Sequence, residues 1–375
     1  MELLAFFLIL ALAYANGSND VSKSVATLVG SGVTEYNTAI LWGTIWTVAG
    51  ASASAFIGGA MVKTFSGGLV RPDTMFQPAA VLSILTGTIV WILFASRAGL
   101  PVSTTHALTG AIVGAGLTSL PPEALIWPAI AKKIALPLLL GPLLALAVSF
   151  LLYPAMRHAA TRWEGSCLCV MPASRALVTI DAHGGTRTLF QTTTFGRPVA
   201  AVPLHCERAG LRGLVLGLDT AHWLSSGLAS FARGMNDAPK IVAMLLLGSI
   251  SAAGLGGASP LAWFGGVALA MGIGSYLGGL RVTTVLAERV TTMDHVEGLS
   301  ANLTTSSLVL LSGIMGLPVS TTHVSSSAII GIGFRNGVRT IRWRTVRDMV
   351  FAWIVTLPVS ACLAGLSYRI FALAF

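Results

Sequence analysis

The sequence predicts an all-α polytopic membrane protein built from two inverted repeats of about five hydrophobic passes each. Three observations carry that reading. Of 375 residues, 54% are hydrophobic and 10% charged, whereas a soluble domain carries about 25% charged residues. Several apolar stretches reach the ~20 residues that cross a bilayer as a helix. Finally, Gly99-Leu-Pro-Val-Ser-Thr-Thr-His106 recurs unchanged as Gly316-Leu-Pro-Val-Ser-Thr-Thr-His323, and Asn19-Asp20 recurs as Asn236-Asp237. Both displacements are 217 positions (323 − 106 and 236 − 19).

The same offset pairs Glu2 with Asp219, Trp46 with Trp263, Gly114 with Gly331 and Gly116 with Gly333, as a duplication nearly without gaps would. The first repeat, 1–153, has passes near 2–30 (interrupted at 16–20), 37–61, 76–97, 101–118 and 133–153. The second, 213–375, has them near 213–251 (interrupted at 233–237), 259–280, 296–315, 318–334 and 348–374. The Pro-Val-Ser-Thr-Thr-His segments follow their predecessors so closely that they are either full spans or re-entrant hairpins, leaving eight to twelve spans in all. An odd number of passes per half inverts the second repeat against the first, an arrangement common among secondary transporters. The 41 Gly suit close helix packing in lipid.

The first fifteen residues imitate a signal peptide, with Ala13-Tyr14-Ala15 as an A-x-A-like cleavage site. Glu2, the lack of a basic n-region and the internal counterpart at 219–232 favour a retained helix instead. With five passes per half, fifteen Lys and Arg fall on one face, including seven Arg between 157 and 212, against five on the other. Positive charge collects on the cytoplasmic side, so the linker 154–212 is expected inside and both termini outside. Short loops and compact length suggest a bacterial inner membrane. The formal charge of +9 comes mostly from loops and speaks to orientation, not to nucleic acid.

Within the linker, Arg175-Ala-Leu-Val-Thr-Ile180 and Thr186-Arg-Thr-Leu-Phe-Gln-Thr-Thr-Thr194 favour strands by composition. Cys167-Leu-Cys169, His183, His205 and Cys206 match no standard zinc spacing, and with Cys362 the cysteines form no disulfide framework. No resident metal or cofactor is expected.

The chemistry concentrates in the repeated motifs. Gly17 and Gly234 are expected to break membrane helices beside Asn19-Asp20 and Asn236-Asp237. An intramembrane carboxylate costs roughly 3 kcal/mol or more, so Asp20 and Asp237 need partners. Lys23 and Lys240 stand three residues on, at ion-pair spacing. The carboxylates are either structural pairs or a cation or proton site shared by the halves. Gly-Leu-Pro-Val-Ser-Thr-Thr-His reads as a helix start with Pro at or near its first helical position. Its amides and the hydroxyls of Ser103, Thr104 and Thr105, with Ser320, Thr321 and Thr322 from the other half, can cradle a tetrahedral oxyanion. The alternative is that the hydroxyls bond backbone carbonyls and join helices. His106 and His323 are structural donors or a proton relay. Glu2 and Asp219 are expected at the interface. Arg233, where the first repeat has Asn16, adds positive potential or snorkels.

At these residues the chain resembles the inorganic phosphate transporter (PiT) family. Asn16-Gly-Ser-Asn-Asp-Val-Ser-Lys-Ser24 is similar to the family's GANDVANA signature, and Arg233-Gly-Met-Asn-Asp-Ala-Pro-Lys-Ile241 to its second copy. Both Pro-Val-Ser-Thr-Thr-His segments match as well; the central linker does not. The resemblance implies an inverted-repeat symporter importing phosphate, with Asn19, Asp20, Asn236 and Asp237 near cation sites and the Ser-Thr-Thr segments around the anion.

One departure matters: Lys23 and Lys240 stand where the signature has its second Asn. An ammonium there would sit where Na⁺ would and repel a second cation, which points to Na⁺-independent, H⁺-coupled transport. The alternatives are ordinary Na⁺ coupling, with Na⁺ at Asp20 and Asp237 and the lysines on the oxyanion, and a sulfate permease of the same family. A membrane-embedded phosphohydrolase is a distant rival, because every candidate nucleophile is duplicated and at midplane. The partners expected are phosphate and the bilayer; a homodimer is compatible with the sequence.

Overall fold

The computed structural model describes residues 1–71, 74–163, 167–171, 174–180, 186–192, 197–201, 217–247 and 259–374. The histidines and Cys206 of the linker cluster considered above lie outside them.

The first repeat runs α1 (Glu2–Asp20), α2 (Ser22–Gly30), α3 (Tyr36–Ile57), α4 (Gly59–Gly67), α5 (Pro78–Arg97), α6 (Thr104–Ser119) and α7 (Leu136–Trp163). A π-helical turn, Ile130–Ala135, leads into α7. In the linker, β1 (Cys167–Met171) pairs antiparallel with β4 (Arg197–Ala201). Between them β2 (Ser174–Ile180) pairs antiparallel with β3 (Thr186–Thr192), the two runs of strand-favouring composition. The second repeat runs α8 (Leu218–Val242), α9 (Pro260–Gly278), α10 (Leu280–Glu288), α11 (His295–Ile314), α12 (Thr321–Asn336) and α13 (Trp343–Ala374).

Among the described residues, six helical stretches are long and apolar enough to cross a membrane: Glu2–Gly30, Tyr36–Ile57, Pro78–Arg97, Trp127–Thr161, Pro260–Gly278 and Trp343–Ala374. Helices α6 and α12 have 16 residues each. At 1.5 Å per residue they are about 24 Å long, short of the ~30 Å hydrocarbon core, which fits the re-entrant alternative.

The expected helix breaks at Gly17 and Gly234 are absent. Helix α1 passes through Gly17 and Asn19, and Val21, between α1 and α2, keeps helical angles (φ −57°, ψ −33°). Helix α8 runs unbroken through Gly234, Asn236, Asp237 and Pro239. The glycines serve packing. A Cβ on Gly17 would overlap the Met271 carbonyl of α9 and lie 2.8 Å from the Ser275 nitrogen. One on Gly234 would overlap the Thr47 carbonyl of α3 and lie 2.8 Å from the Ala51 nitrogen. Close backbone approach of this kind is how membrane helices gain contact without a hydrophobic driving force.

The duplication is visible in the helix bounds, with a correction to its register. Helices α5 and α11 start 217 apart (295 − 78), as do α6 and α12 (321 − 104). In α3 and α9 the offset differs. Gly50 packs on the Phe231 carbonyl and Gly274 on the Tyr14 carbonyl. Phe231 and Tyr14 are 217 apart, but Gly274 and Gly50 are 224 apart (274 − 50). Trp46 and Trp263 are therefore not structural equivalents, and length changes on either side of α9 compensate each other.

Candidate functional site

The repeated octapeptide forms a helix stop followed by a helix start. Gly99 and Gly316 take positive φ (72° and 67°), which Gly adopts without strain. They close α5 and α11: Leu100 N donates to Ala95 O at 2.9 Å and Leu317 N to Ser312 O at 2.9 Å. That six-residue closure is the Schellman pattern. Pro101 and Pro318 stand near the next helices but outside them, two residues before the N-caps. The N-caps are Ser103 and Ser320, whose hydroxyls accept from His106 N at 3.2 Å and His323 N at 3.1 Å.

The segments before the caps cross between repeats. Thr322 Oγ1 donates to Val102 O at 2.6 Å, and Thr105 Oγ1 donates to Val319 O at 3.2 Å. Of the six hydroxyls expected around an anion, Ser103 and Ser320 are caps, and Thr105 and Thr322 tie the halves together. Thr104 and Thr321 face the carboxylates: Thr104 Oγ1 accepts from Asn16 at 3.0 Å, and Thr321 Oγ1 lies 3.4 Å from Asp20 Oδ2.

Both Asn-Asp motifs meet these segments in one buried cluster. Lys23 Nζ donates to Asp20 Oδ1, to Asn19 Oδ1 at 3.1 Å and to Val102 O at 3.2 Å. Lys240 Nζ donates to Asp237 Oδ1 at 2.9 Å, Thr105 Oγ1 at 2.8 Å and Val319 O at 3.3 Å. Asn19 Nδ2 donates to Ser96 and to Leu100 O at 3.0 Å, and Asn236 Nδ2 to Asp237 at 3.0 Å. The structure thus brings Asn19, Asp20, Lys23, Asn236, Asp237 and Lys240 together. Glu2 and Asp219 stand outside the cluster, and Asp219 is exposed and paired with His295.

Asn16, to which the sequence assigned no role of its own, and Arg233, expected to add positive potential or to snorkel, are both buried beside the cluster. Asn16 Nδ2 bridges Asp20 Oδ2 at 3.1 Å, Asp237 Oδ2 at 3.2 Å and Thr104. Arg233 is 2% exposed; its Nη2 donates to Thr47 and Ser275, while Nε and Nη1 have no partner among the described residues. Their only sequence signal was that a polar and a basic residue occupy equivalent positions of a repeat. Three buried cations against two carboxylates leave the cluster with a formal charge of +1, suited to an anion.

His106 and His323 meet each other with ring centroids 4.5 Å apart, and His323 lies 4.2 Å from the Trp353 ring. They form one wall of a cavity of about 540 Å³ that is lined mostly by apolar residues such as Ile134, Leu138, Ile354 and Leu357, with Thr109 beside them.

Residues 16–364 match the sequence profile of the phosphate transporter family. The chain belongs to that family. It is a phosphate transporter of the PiT type, integral to the membrane and not an enzyme, so the phosphohydrolase reading falls away. A putative phosphate permease of Pyrococcus abyssi is 28% identical, over 98% of this chain and 97% of its own. A probable low-affinity inorganic phosphate transporter of Bacillus subtilis is also 28% identical, over 98% and 96%. A solved structure titled the sodium-dependent phosphate transporter shares the fold, with TM-score 0.77 and 20% identity over 100% of this chain and 99% of that one.

Proposed function

We propose that this phosphate transporter is a symporter that imports phosphate with protons and without Na⁺, Lys23 and Lys240 standing in for coupling cations. One observation carries the reading: the oxygens around each ammonium. Lys23 Nζ is held by a carboxylate, an amide oxygen and a backbone carbonyl; Lys240 Nζ by a carboxylate, a hydroxyl and a backbone carbonyl. Hard cations recruit such all-oxygen sets. With a lysine in each, neither set has room for Na⁺.

Protonation then has a direct use. A proton on Asp20 or Asp237 loosens the matching lysine, whose Nζ can turn to the incoming oxyanion beside Arg233, Thr104 and Thr321. Release of the proton restores the ion pair and discharges the anion. Each lysine thus serves as cation surrogate at rest and as anion donor when its carboxylate is neutral.

The amides favour phosphate over sulfate. Asn16 Oδ1 and Asn236 Oδ1 are buried with no partner among the described residues. Neighbouring acceptors fix both amide orientations, because each Nδ2 faces carboxylate oxygens. A free buried acceptor is satisfied by the P–OH of a protonated phosphate; sulfate has no proton to offer and would leave it unpaired, at about 1–3 kcal/mol. The charge asymmetry of the sequence supports a cytoplasmic linker and external termini.

The test is labelled-phosphate uptake into proteoliposomes driven by a Na⁺ gradient alone or an inward proton gradient alone, with excess sulfate as competitor. Proton-driven, Na⁺-indifferent, sulfate-resistant uptake is expected. Uptake that requires Na⁺ would return the lysines to the anion and the coupling to Na⁺.

A further inference from the structure

The repeats are alike in backbone but unlike in what they bury on either side of the central cluster. In one compartment, formed where α2, α8 and α11 meet, the buried residues include Ser24, Thr27, His222, Ser226 and Asn302. Their counterparts 217 positions away are Ile241, Met244, Ala5, Ile9 and Leu85, which all belong to the main apolar core. A fold with internal symmetry has therefore filled one of two equivalent compartments with hydrocarbon and the other with hydroxyls, an imidazole and an amide.

Polar side chains follow one another at successive turns from the cluster to the surface. Ser24 follows Lys23, and its hydroxyl accepts from Ser230 at 2.6 Å while its carbonyl accepts from Ser226 at 2.8 Å. Ser325 donates to the Lys23 carbonyl at 2.6 Å. One turn from Ser226 along α8, His222 Nε2 lies 3.2 Å from Thr27 Oγ1. One turn further, Asp219 and His295 pair at the surface. Helix α11 walls this path: a Cβ on Gly298 would meet the His222 ring and come within 3.3 Å of Thr27. Asn302, one turn beyond Gly298, shares its face.

Two buried side chains here have capacity to spare. Asn302 is 1% exposed, and neither its Nδ2 nor its Oδ1 has a hydrogen-bond partner among the described residues. His222 is fully buried and its Nδ1 is also unpartnered. A primary amide buried with both ends unused costs free energy that an apolar residue at the same place, such as Leu85, would not.

We propose that this seam is the permeation route between the central cluster and the linker face, with Asn302 and His222 forming a second, transient oxyanion position along it. The inference rests on the phosphate-transport reading for its ligand and on the asymmetry of the repeats for its place. Asn302 Nδ2 and the imidazole donate to phosphate oxygens, and Asn302 Oδ1 accepts from a P–OH. The apolar compartment opposite is the closed half of the route. A site with one amide and one imidazole and no net charge holds the anion more weakly than the cluster with its excess cation, as a waypoint must.

The test is thiol accessibility. Asn302→Cys and Leu85→Cys are placed separately in a background whose Cys167, Cys169, Cys206 and Cys362 are serine and which retains phosphate uptake. Each is treated with a charged, water-soluble methanethiosulfonate, with and without inorganic phosphate or sulfate. The cysteine at 302 is expected to react about tenfold faster than that at 85, through a barrier lower by about 1.4 kcal/mol, and phosphate should slow it. Equal rates at the two positions, or a fast reaction that no anion slows, overturn the proposal. Protection by sulfate and not phosphate keeps the route and overturns the substrate assigned above. Asn302→Leu provides a second readout: it should lower the maximal uptake rate with little change in KM, and an unchanged maximal rate counts against the route.

Discussion

Asp20 and Asp237, 217 positions apart, share a single amide: Asn16 Nδ2 lies 3.1 Å from one carboxylate and 3.2 Å from the other. The amide couples the repeats at the point where like charges would otherwise repel. Replacing it leaves Asp237 Oδ2 without a donor, at about 1–3 kcal/mol, and leaves Asp20 Oδ2 with only the longer contact from Thr321. Asn16→Leu is therefore expected to reduce phosphate uptake at least tenfold per molecule of membrane-inserted protein. Asn16→Asp should be worse, since it adds a third carboxylate. Uptake per inserted molecule equal to the parent's in Asn16→Leu would remove Asn16 from the mechanism.

The surrogate reading makes an opposite kind of prediction, a gain. Lys23→Asn and Lys240→Asn restore the residue of the signature and vacate a set of oxygens suited to a cation. Uptake by the double variant should become Na⁺-stimulated while the parent stays indifferent. Lys23→Met alone leaves Asp20 buried without its ion-pair partner, which typically destabilises by about 3–5 kcal/mol. Adding Asp20→Asn should recover the folded protein but not transport. A Lys23→Asn/Lys240→Asn protein that folds and ignores Na⁺ would refute the surrogate.

Glycine substitutions separate packing from flexibility. Gly17→Ala and Gly234→Ala drive a methyl into the Met271 and Thr47 carbonyls. Since backbone cannot step aside as a side chain can, overpacking of about 1–3 kcal/mol is expected from each. Gly265 sits inside α9 with nothing within 4 Å of its absent Cβ, and Gly265→Ala should be neutral or stabilise by up to about 1 kcal/mol. Thermal melting in detergent reads all three. Equal melting temperatures across the set would mean that the close approaches of α1 to α9 and α8 to α3 are not the reason for glycine.

These cases mark what the sequence could disclose. The offset of 217 located α5 with α11, α6 with α12, and the Asn-Asp, Lys and Ser-Thr-Thr residues of the cluster, because a repeated charge in a hydrophobic chain has few bland explanations. Gly17 was misread as a helix break, because glycine marks breaks and close approaches alike and only the partner helix tells them apart. Trp46 and Trp263 were paired by arithmetic that the inserted residues around α9 invalidate. For Thr105 and Thr322 the sequence left open an anion cradle or bonds to backbone carbonyls; both donate across the repeats, to the Val319 and Val102 carbonyls, acceptors that carry no sequence signature. Asn302 was not singled out, since one amide in an apolar run gains meaning only beside His222 and opposite Leu85.

The histidine pair separates proton coupling from substrate binding. His106 and His323 touch across the repeats, 4.5 Å between centroids, and no hydrogen bond among the described residues links either ring to Asp20 or Asp237. The proton-relay reading sets the pair on a path through the cavity of about 540 Å³ that they line, in delivery and not in holding the anion. His106→Asn and His323→Asn keep polar side chains of related shape but cannot take up a proton near neutrality. Both variants should retain phosphate–phosphate exchange with little change in KM, because exchange needs no net proton movement. Uptake driven by an inward proton gradient should fall about tenfold or more, the range that a positioned proton-transfer group supplies. Loss of exchange together with uptake would make the pair part of the scaffold, held by Trp353; undiminished gradient-driven uptake would leave the carboxylates to exchange protons with solvent by another path.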